Sequence, residues 1–148
     1  MSQIFDQLTL DMKESMKNKD KNRLTTIRMA ISAIKQKQID EKIQITDEVV
    51  IAVITKMIKQ RQDSFNQYIK ANRAELAEGE KREIEILTQY MPKQLNDEEV
   101  VAIVQKAIES VGATSMKEMG KIMASVKKEL AGRTDMSKVS AIVKSNLA

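Results

Sequence analysis

The 148-residue chain contains no cysteine and no histidine. These absences exclude a thiol nucleophile, a Cys-dependent glutaminase, a Ser-His-Asp triad and an ordinary zinc site, because each of these needs one of the two side chains. A disulfide framework is excluded as well. The sequence therefore predicts a protein without catalytic residues, without a metal site and without a cofactor.

Long apolar runs are also absent. The longest aliphatic run extends from Val49 to Ile54, far short of the roughly 20 residues that a membrane-spanning helix needs. The N-terminal sequence MSQIFDQLTLDM has neither the basic segment nor the apolar segment of a secretion signal. We therefore expect no membrane association and a cytoplasmic location.

Aromatic residues are scarce, and the charge is nearly balanced. Two Tyr and two Phe leave little capacity for stacking on bases. The 25 Lys and Arg against 21 Asp and Glu give a net charge of +4, which permits attraction to phosphate but also fits a mixed, solvated surface. Any RNA recognition should therefore rely on shape and backbone contacts, and no DNA binding is expected.

Apolar residues recur at spacings of three and four along the whole chain, and no useful length alternates with period two. The first stripe, for example, is formed by Phe5, Leu8, Met12 and Met16, and the fourth places Leu76, Ile84 and Leu87 inward. The only proline, Pro92, ends the fourth such segment, since the residue before a proline avoids the helical region. These patterns predict an all-α protein, with a four-helix N-terminal bundle over residues 1–92 and a three-helix C-terminal bundle over residues 93–148.

The last third of the chain repeats a cap, an amphipathic helix and a stop. Three residues suited to capping precede its three helices: Asn96, Ser115 and Asp135. Glu99 and Glu118 each lie three residues after their cap, as in a capping box. Gly112 and Gly132 stand where the helices end, which is typical of left-handed C-caps.

Arg61 interrupts the apolar stripe of the third helix, between Met57 and Phe65. An unpaired charge on an inward face costs several kcal/mol. Two interpretations stay open. Either the guanidinium pairs with a nearby carboxylate, or it is presented to phosphate at a groove between helices. The carboxylates within reach are Asp63, Glu80 and Glu83.

Gly120 lies inside a predicted helix, where glycine costs about 1 kcal/mol relative to alanine. A close backbone approach, either to a neighbouring helix or to a ligand phosphate, is the usual reason for such a glycine. Three methionines, Met116, Met119 and Met123, fall on one face of the same helix. That face is either ordinary core or an adaptable surface for a protein partner.

Positive charge surrounds the last helical unit, on Lys121, Lys127, Lys128, Arg133, Lys138 and Lys144. These side chains form either a solvated mixed face or a surface for phosphates, whose affinity would fall steeply with salt. The candidate RNA-binding residues are Gly120, Lys121, Lys127, Lys128, Arg133, Lys138 and Arg61.

Two segments make the chain similar to a known family. ESVGATSMKEMGKIMASVKKELAGRTDMSKVSAIVKSNL closely resembles the C-terminal signature of the GatB/YqeY family, and KQRQDSFNQYIKANRAELAEGEKREIEILTQYMPKQL resembles its middle signature. The resemblance extends from about Leu8 to Leu147. Within the family, the chain resembles the small free-standing members. It implies a four-helix bundle followed by a three-helix bundle.

In the longer relatives, the corresponding unit is the tail of the B subunit of the tRNA-dependent amidotransferase, which converts Glu-tRNA(Gln) to Gln-tRNA(Gln), and it helps engage tRNA. By matching position, the resemblance implies a functional surface that includes Gly120, Lys121, Gly132, Arg133 and Asp135. The family often has Ala-Asp-Gly after the glycine of GRTD, whereas this chain has Thr134, Asp135 and Met136.

The resulting hypothesis is a noncatalytic helical accessory protein that binds tRNA or a tRNA-handling complex through its C-terminal unit. Two alternatives stay open. One is a protein-interaction module that uses the methionine-bearing face, and the other is a carbon–nitrogen ligase component of the amidotransferase kind. The oligomeric state is left open.

Overall fold

The computed structural model describes residues 2–147 and confirms the all-α prediction, because this part of the chain contains no strand. Its helices are α1 Gln3–Lys17, α2 Lys21–Glu41, α3 Asp47–Lys70, α4 Ala74–Thr88, α5 Asp97–Val111, α6 Met119–Leu130 and α7 Met136–Leu147. A short 3₁₀ turn, Met116–Glu118, precedes α6. Contacts group the chain into unit 1, Met1–Met91, and unit 2, Pro92–Ala148.

Unit 1 has a core to which all four of its helices contribute. The helix pairs α1/α2, α2/α3, α3/α4, α2/α4 and α1/α3 are in contact, which fits the predicted four-helix grouping. Its fully buried large side chains are Leu8, Ile27, Ile34, Val50, Ile54 and Leu87. The spacing of seven between Ile27 and Ile34 in α2 and of four between Val50 and Ile54 in α3 is that of a single apolar face.

Two apolar residues at helix ends depart from the predicted pattern. Met16, in the last turn of α1, is 51% exposed, and Leu76, in the first turn of α4, is 43% exposed. Both positions continue the apolar spacing of their helix, so the periodicity predicted them inward. Spacing defines a face but does not tell where along the helix the core stops.

A buried polar cluster joins α1 and α2 to the end of α4. The Tyr90 hydroxyl donates a hydrogen bond to Asp11 Oδ2 at 2.6 Å, and Gln7 Nε2 donates to Asp11 Oδ1 at 2.8 Å. Arg23 Nη2 lies 3.5 Å from the same carboxylate. Asp11 and Tyr90 are each only 8% exposed, so this charged group is satisfied inside the unit rather than by water.

Unit 2 is built on the mutual contacts of α5, α6 and α7. Its fully buried residues are Val100, Val104, Ile122, Val126, Leu130, Val139 and Val143. The capping box at Asn96 is confirmed, since Asn96 Oδ1 accepts from the Glu99 amide at 2.8 Å and Glu99 Oε1 from the Asn96 amide at 3.3 Å. Gly112 (φ 72°) and Gly132 (φ 76°) have the predicted left-handed conformation.

The second predicted capping box is wrong. Ser115 makes no side-chain capping bond, because the chain first forms the 3₁₀ turn and α6 begins only at Met119. Glu118 Oε1 instead accepts from the Thr114 amide at 3.2 Å. The third cap is confirmed, since Asp135 Oδ1 accepts from the Ser137 amide at 2.9 Å at the start of α7.

Candidate functional site

One exposed face of α6 collects most of the predicted site. We call it the α6 basic face and define it by Gly120, Lys121, Ala124, Lys127 and Lys128, all of which are exposed. These positions are spaced by three and four residues, so they share one side of the helix. The opposite side carries Ile122, Val126 and Leu130, which are buried in the core of unit 2. Burial of that apolar side fixes the lysines toward solvent.

The charges of unit 2 are segregated along its sequence. α5 carries four carboxylates and one lysine, whereas residues 116–148 carry seven Lys and Arg against three Asp and Glu. None of the lysines of the α6 basic face makes an ion pair within the described residues. The α6 basic face is therefore an uncompensated positive surface, which means that no ion pair in the described part of the chain neutralises its lysines. Most of the acidic residues of unit 2 lie on α5 instead.

Gly120 makes no close helix contact. A Cβ placed on it would meet no atom within 4 Å, and the residue is exposed. The predicted packing against a neighbouring helix is therefore wrong, because the backbone at this point faces open space. Gly120 is the second residue of α6, so it lies in the first turn of the helix rather than in the interior.

Replacing Gly120 with alanine should raise the free energy of unfolding by about 0.4–1 kcal/mol, because the unfolded chain loses conformational freedom and nothing obstructs the new methyl group. Gly112→Ala is the matched contrast in the same unit. It also has free space around its Cβ, but its φ of 72° strains an L-residue, so stability should fall. Urea unfolding measures both. Equal shifts of the same sign would contradict the prediction.

Arg133 is engaged in holding unit 2 together. Its Nε donates to the Lys93 carbonyl at 3.2 Å, and its Nη1 to the Glu129 carbonyl near the end of α6 at 3.4 Å. In return, the Leu95 amide donates to the Arg133 carbonyl at 2.8 Å, and Gln94 Nε2 to the Gly132 carbonyl at 2.7 Å. These bonds join residues 93–95 to the turn after α6. Arg133 thus lies beside the α6 basic face, and its hydrogen bonds stabilise unit 2.

Lys138 lies on α7 and is paired rather than free. Its Nζ is 3.7 Å from Asp97 Oδ1, and the two side chains are 62% and 77% exposed. Such an exposed pair contributes little to stability. It does, however, reduce the positive potential of Lys138, which places this residue outside the uncompensated surface.

Arg61 lies in unit 1, and its contacts support the interpretation in which the guanidinium pairs with a nearby carboxylate. It is 8% exposed, its Nη1 donates to the Met57 carbonyl at 3.1 Å, and its Nε is 3.6 Å from Glu83 Oε2. Nε itself donates no hydrogen bond within the described residues. A guanidinium this deeply buried does not offer itself to a phosphate backbone.

The methionine-bearing face is largely used by the core. Met119 and Met123 are half-buried and pack against the apolar cluster of unit 2, whereas Met116 is 44% exposed. One exposed methionine offers little area for a partner. No observation favours the protein-interaction alternative over the basic face.

Two further exposed lysines were not among the candidate residues chosen from the sequence. Lys117 is exposed and lies four residues before Lys121, in the 3₁₀ turn that precedes α6. Lys93 is exposed where its carbonyl accepts from Arg133. No local sequence pattern could have predicted the contact of Lys93, because its partner Arg133 is 40 residues away.

Within the described residues, no group of three or more carboxylates forms a metal-binding cluster. The helices over the same range include none that is both long enough and apolar enough to cross a membrane.

A family model described as "Yqey-like protein" matches residues 5–147. Among curated proteins, the chain is similar to "Altered inheritance of mitochondria protein 41, mitochondrial" from three yeasts. The Kluyveromyces lactis protein is 39% identical over 123 residues, which are 78% of this chain and 66% of that protein. The Lachancea thermotolerans protein is 42% identical over 85 residues, 57% of this chain and 46% of that protein. The Candida glabrata protein is 38% identical over 90 residues, 60% and 50% of the two chains.

The matches thus cover about half to two thirds of the length of these relatives. Their names contradict the predicted cytoplasmic location, since all three are called mitochondrial. The prediction rested on composition and on the first twelve residues. A helical unit with an apolar core and a charged surface suits any aqueous compartment, so these features carried no information about location.

Proposed function

The chain belongs to the YqeY-like family, and from that premise we propose that it is a noncatalytic helical accessory protein that binds tRNA, or tRNA within a handling complex, through the α6 basic face. The observation that carries the proposal is the uncompensated character of this face. Lys121, Lys127 and Lys128 are exposed and free of ion pairs within the described residues, and no acidic side chain lies between them on that side of α6.

The physical role of the face would be electrostatic. Each lysine that meets a phosphate releases counterions from the RNA, so affinity depends on the number of contacts and on salt. Gly120 and Ala124, between the lysines, add almost no side-chain bulk, which lets a sugar–phosphate backbone come near the helix. A Cβ at Gly120 would meet nothing within 4 Å, so the space beside this residue is open to a ligand.

The names of the curated relatives state a mitochondrial location and an altered inheritance of mitochondria, and they name no ligand and no reaction. The proposal therefore takes its support from the family resemblance to a tRNA-engaging tail and from the charge distribution of unit 2. Glu80, a carboxylate whose pKa is raised by burial, lies in unit 1 and is not part of the α6 basic face.

The test is a titration of fluorescently labelled tRNA with the full chain at several salt concentrations. Neutralising three lysines, K121Q/K127Q/K128Q, should weaken binding about tenfold and reduce the slope of log affinity against log salt by about 2. The matched control K13Q/K35Q/K59Q removes three exposed charges from unit 1 and should leave the slope unchanged. Arg133 is kept in both, because its loss would disturb the fold of unit 2.

Equal losses in the two triple variants would reduce the effect to general charge and overturn the proposed surface. A wild-type protein that fails to bind tRNA at low salt would overturn RNA binding itself. Unstructured RNA serves as the competitor that separates tRNA binding from attraction to any polyanion.

A further inference from the structure

Unit 1 contains a groove between α2 and α4 that the RNA-binding proposal does not use. We call it the α2–α4 groove. It has a volume of about 340 Å³ and is lined by Asn22, Thr25 and Thr26 of α2, by Tyr68 of α3, and by residues of α4. This volume lies at the lower end of the range of ligand pockets, which begins at roughly 300 Å³. The groove therefore suits an occupant the size of one or two side chains.

Negative charge dominates the wall contributed by α4. Glu75, Glu80 and Glu83 line the groove against a single arginine, Arg82, which is exposed. Glu83 is paired from beneath by the buried Arg61 at 3.6 Å, whereas Glu75 and Glu80 make no ion pair within the described residues. Burial, followed by the charge of Glu83, raises the pKa of Glu80. The charge of Arg61 acts in the opposite direction on Glu80. A cationic group in the groove would further offset the repulsion between Glu80 and Glu83.

The same wall has an apolar part that is open to solvent. Leu76, whose spacing predicts an inward position, is instead 43% exposed and lines the groove together with Ile86. Gly79 stands between them on the groove side of α4, and a Cβ there would meet nothing within 4 Å. Helix packing does not require this glycine, and it costs about 1 kcal/mol relative to alanine. Its effect is to keep the middle of the groove open.

From this combination we propose that the α2–α4 groove binds a long cationic side chain, lysine or arginine, of a partner polypeptide. The aliphatic stem lies along Leu76 and Gly79, and the charged head reaches the carboxylates of Glu75 and Glu80. Long cationic side chains bury their methylene stems against apolar surface while the head stays at a polar edge. Leu76 and Ile86 both line the groove, so apolar residues next to the cationic one could contact this wall, which favours a polypeptide over a free polyamine.

The probe is a fluorescein-labelled peptide, Leu-Lys-Leu-Lys-Leu, titrated with the full chain at low ionic strength and followed by anisotropy. The double variant E75Q/E80Q should weaken binding about tenfold, since two charge-assisted contacts are lost. The matched control E78Q/E85Q removes two exposed charges of the same helix that do not line the groove, and it should bind as the wild type does. Methyl NMR signals of Thr25 and Leu76 should shift on binding.

Gly79→Leu fills the groove while improving helix propensity, and it should abolish the interaction in a protein whose circular dichroism is unchanged. Several results would overturn the proposal: no binding by the wild type, equal losses in the two glutamine variants, or equal binding of the peptide Leu-Gln-Leu-Gln-Leu. Displacement of the peptide by an equal concentration of spermidine would assign the groove to a free polyamine and overturn the polypeptide partner.

Discussion

Replacing Tyr90 with phenylalanine is expected to lower the free energy of unfolding by about 2 kcal/mol, because a buried hydrogen bond to a charged group is lost. The Tyr90 hydroxyl donates to Asp11 at 2.6 Å, and both residues are 8% exposed. Water has little access to replace the missing donor. Gln7 and Arg23 would remain as the partners of the carboxylate. Urea unfolding followed by circular dichroism measures the loss.

Tyr68→Phe is the matched control for this substitution. Tyr68 is half-buried on α3, and its hydroxyl makes no hydrogen bond among the described residues. The same chemical change should therefore shift stability by no more than about 0.5 kcal/mol. If both variants lose the same amount, the Asp11–Tyr90 bond is not the source of the effect.

The contribution of Tyr90 should also depend on pH. Burial, together with the bond to the Asp11 carboxylate, raises the pKa of Tyr90 from 10.0 to about 12. A group whose pKa is raised by folding stabilises the folded state fully below its unfolded pKa and loses that contribution as the pH rises through its folded pKa. The difference in stability between wild type and Tyr90→Phe should therefore shrink between pH 10 and pH 12. Lysine titration cancels in this difference, since both proteins carry the same lysines.

Local signals predicted much of the fold. The capping box at Asn96 joins residues three apart, and the left-handed glycines Gly112 and Gly132 follow directly from where the apolar stripes end. The box predicted at Ser115 failed because a 3₁₀ turn intervened before α6, and the two helix types share the same cap residues. Contacts between residues that are far apart in the sequence could not be predicted from local patterns. Asp11 and Tyr90 are 79 positions apart, and helical periodicity reports only on neighbours within one helix.

The candidate site, like the fold, was predictable from the sequence only in part. Lys121, Lys127 and Lys128 were predictable because exposed charges at helical spacing stay on one face wherever the helix packs. Arg133 was grouped with them by its charge and by the family resemblance, and Arg61 by its charge on an inward face. Their guanidinium groups are occupied by internal partners, among them Lys93 for Arg133 and Glu83 for Arg61, which only the tertiary structure brings near. A basic residue in a helical protein is thus a candidate for phosphate only after its internal partners are known.

Removing Glu83 should cost more stability than removing the arginine with which it pairs. Glu83→Gln leaves the Arg61 guanidinium buried, with its Nε already lacking a hydrogen bond and no full charge opposite it. Breaking a buried pair from one side costs about 3–5 kcal/mol. Because the Glu83 side chain is 30% exposed, we expect a loss at or below the lower end of this range, about 2–3 kcal/mol.

Arg61→Met is the informative counterpart. It removes the buried charge and keeps most of the aliphatic stem against Met57, while the remaining Glu83 can take up water. We expect this variant to lose less than about 1 kcal/mol, because replacing a buried ion by an apolar side chain of similar volume is often neutral. Urea unfolding of both variants tests the asymmetry. A larger loss for Arg61→Met than for Glu83→Gln would mean that the guanidinium holds unit 1 together through its bond to the Met57 carbonyl rather than through the ion pair.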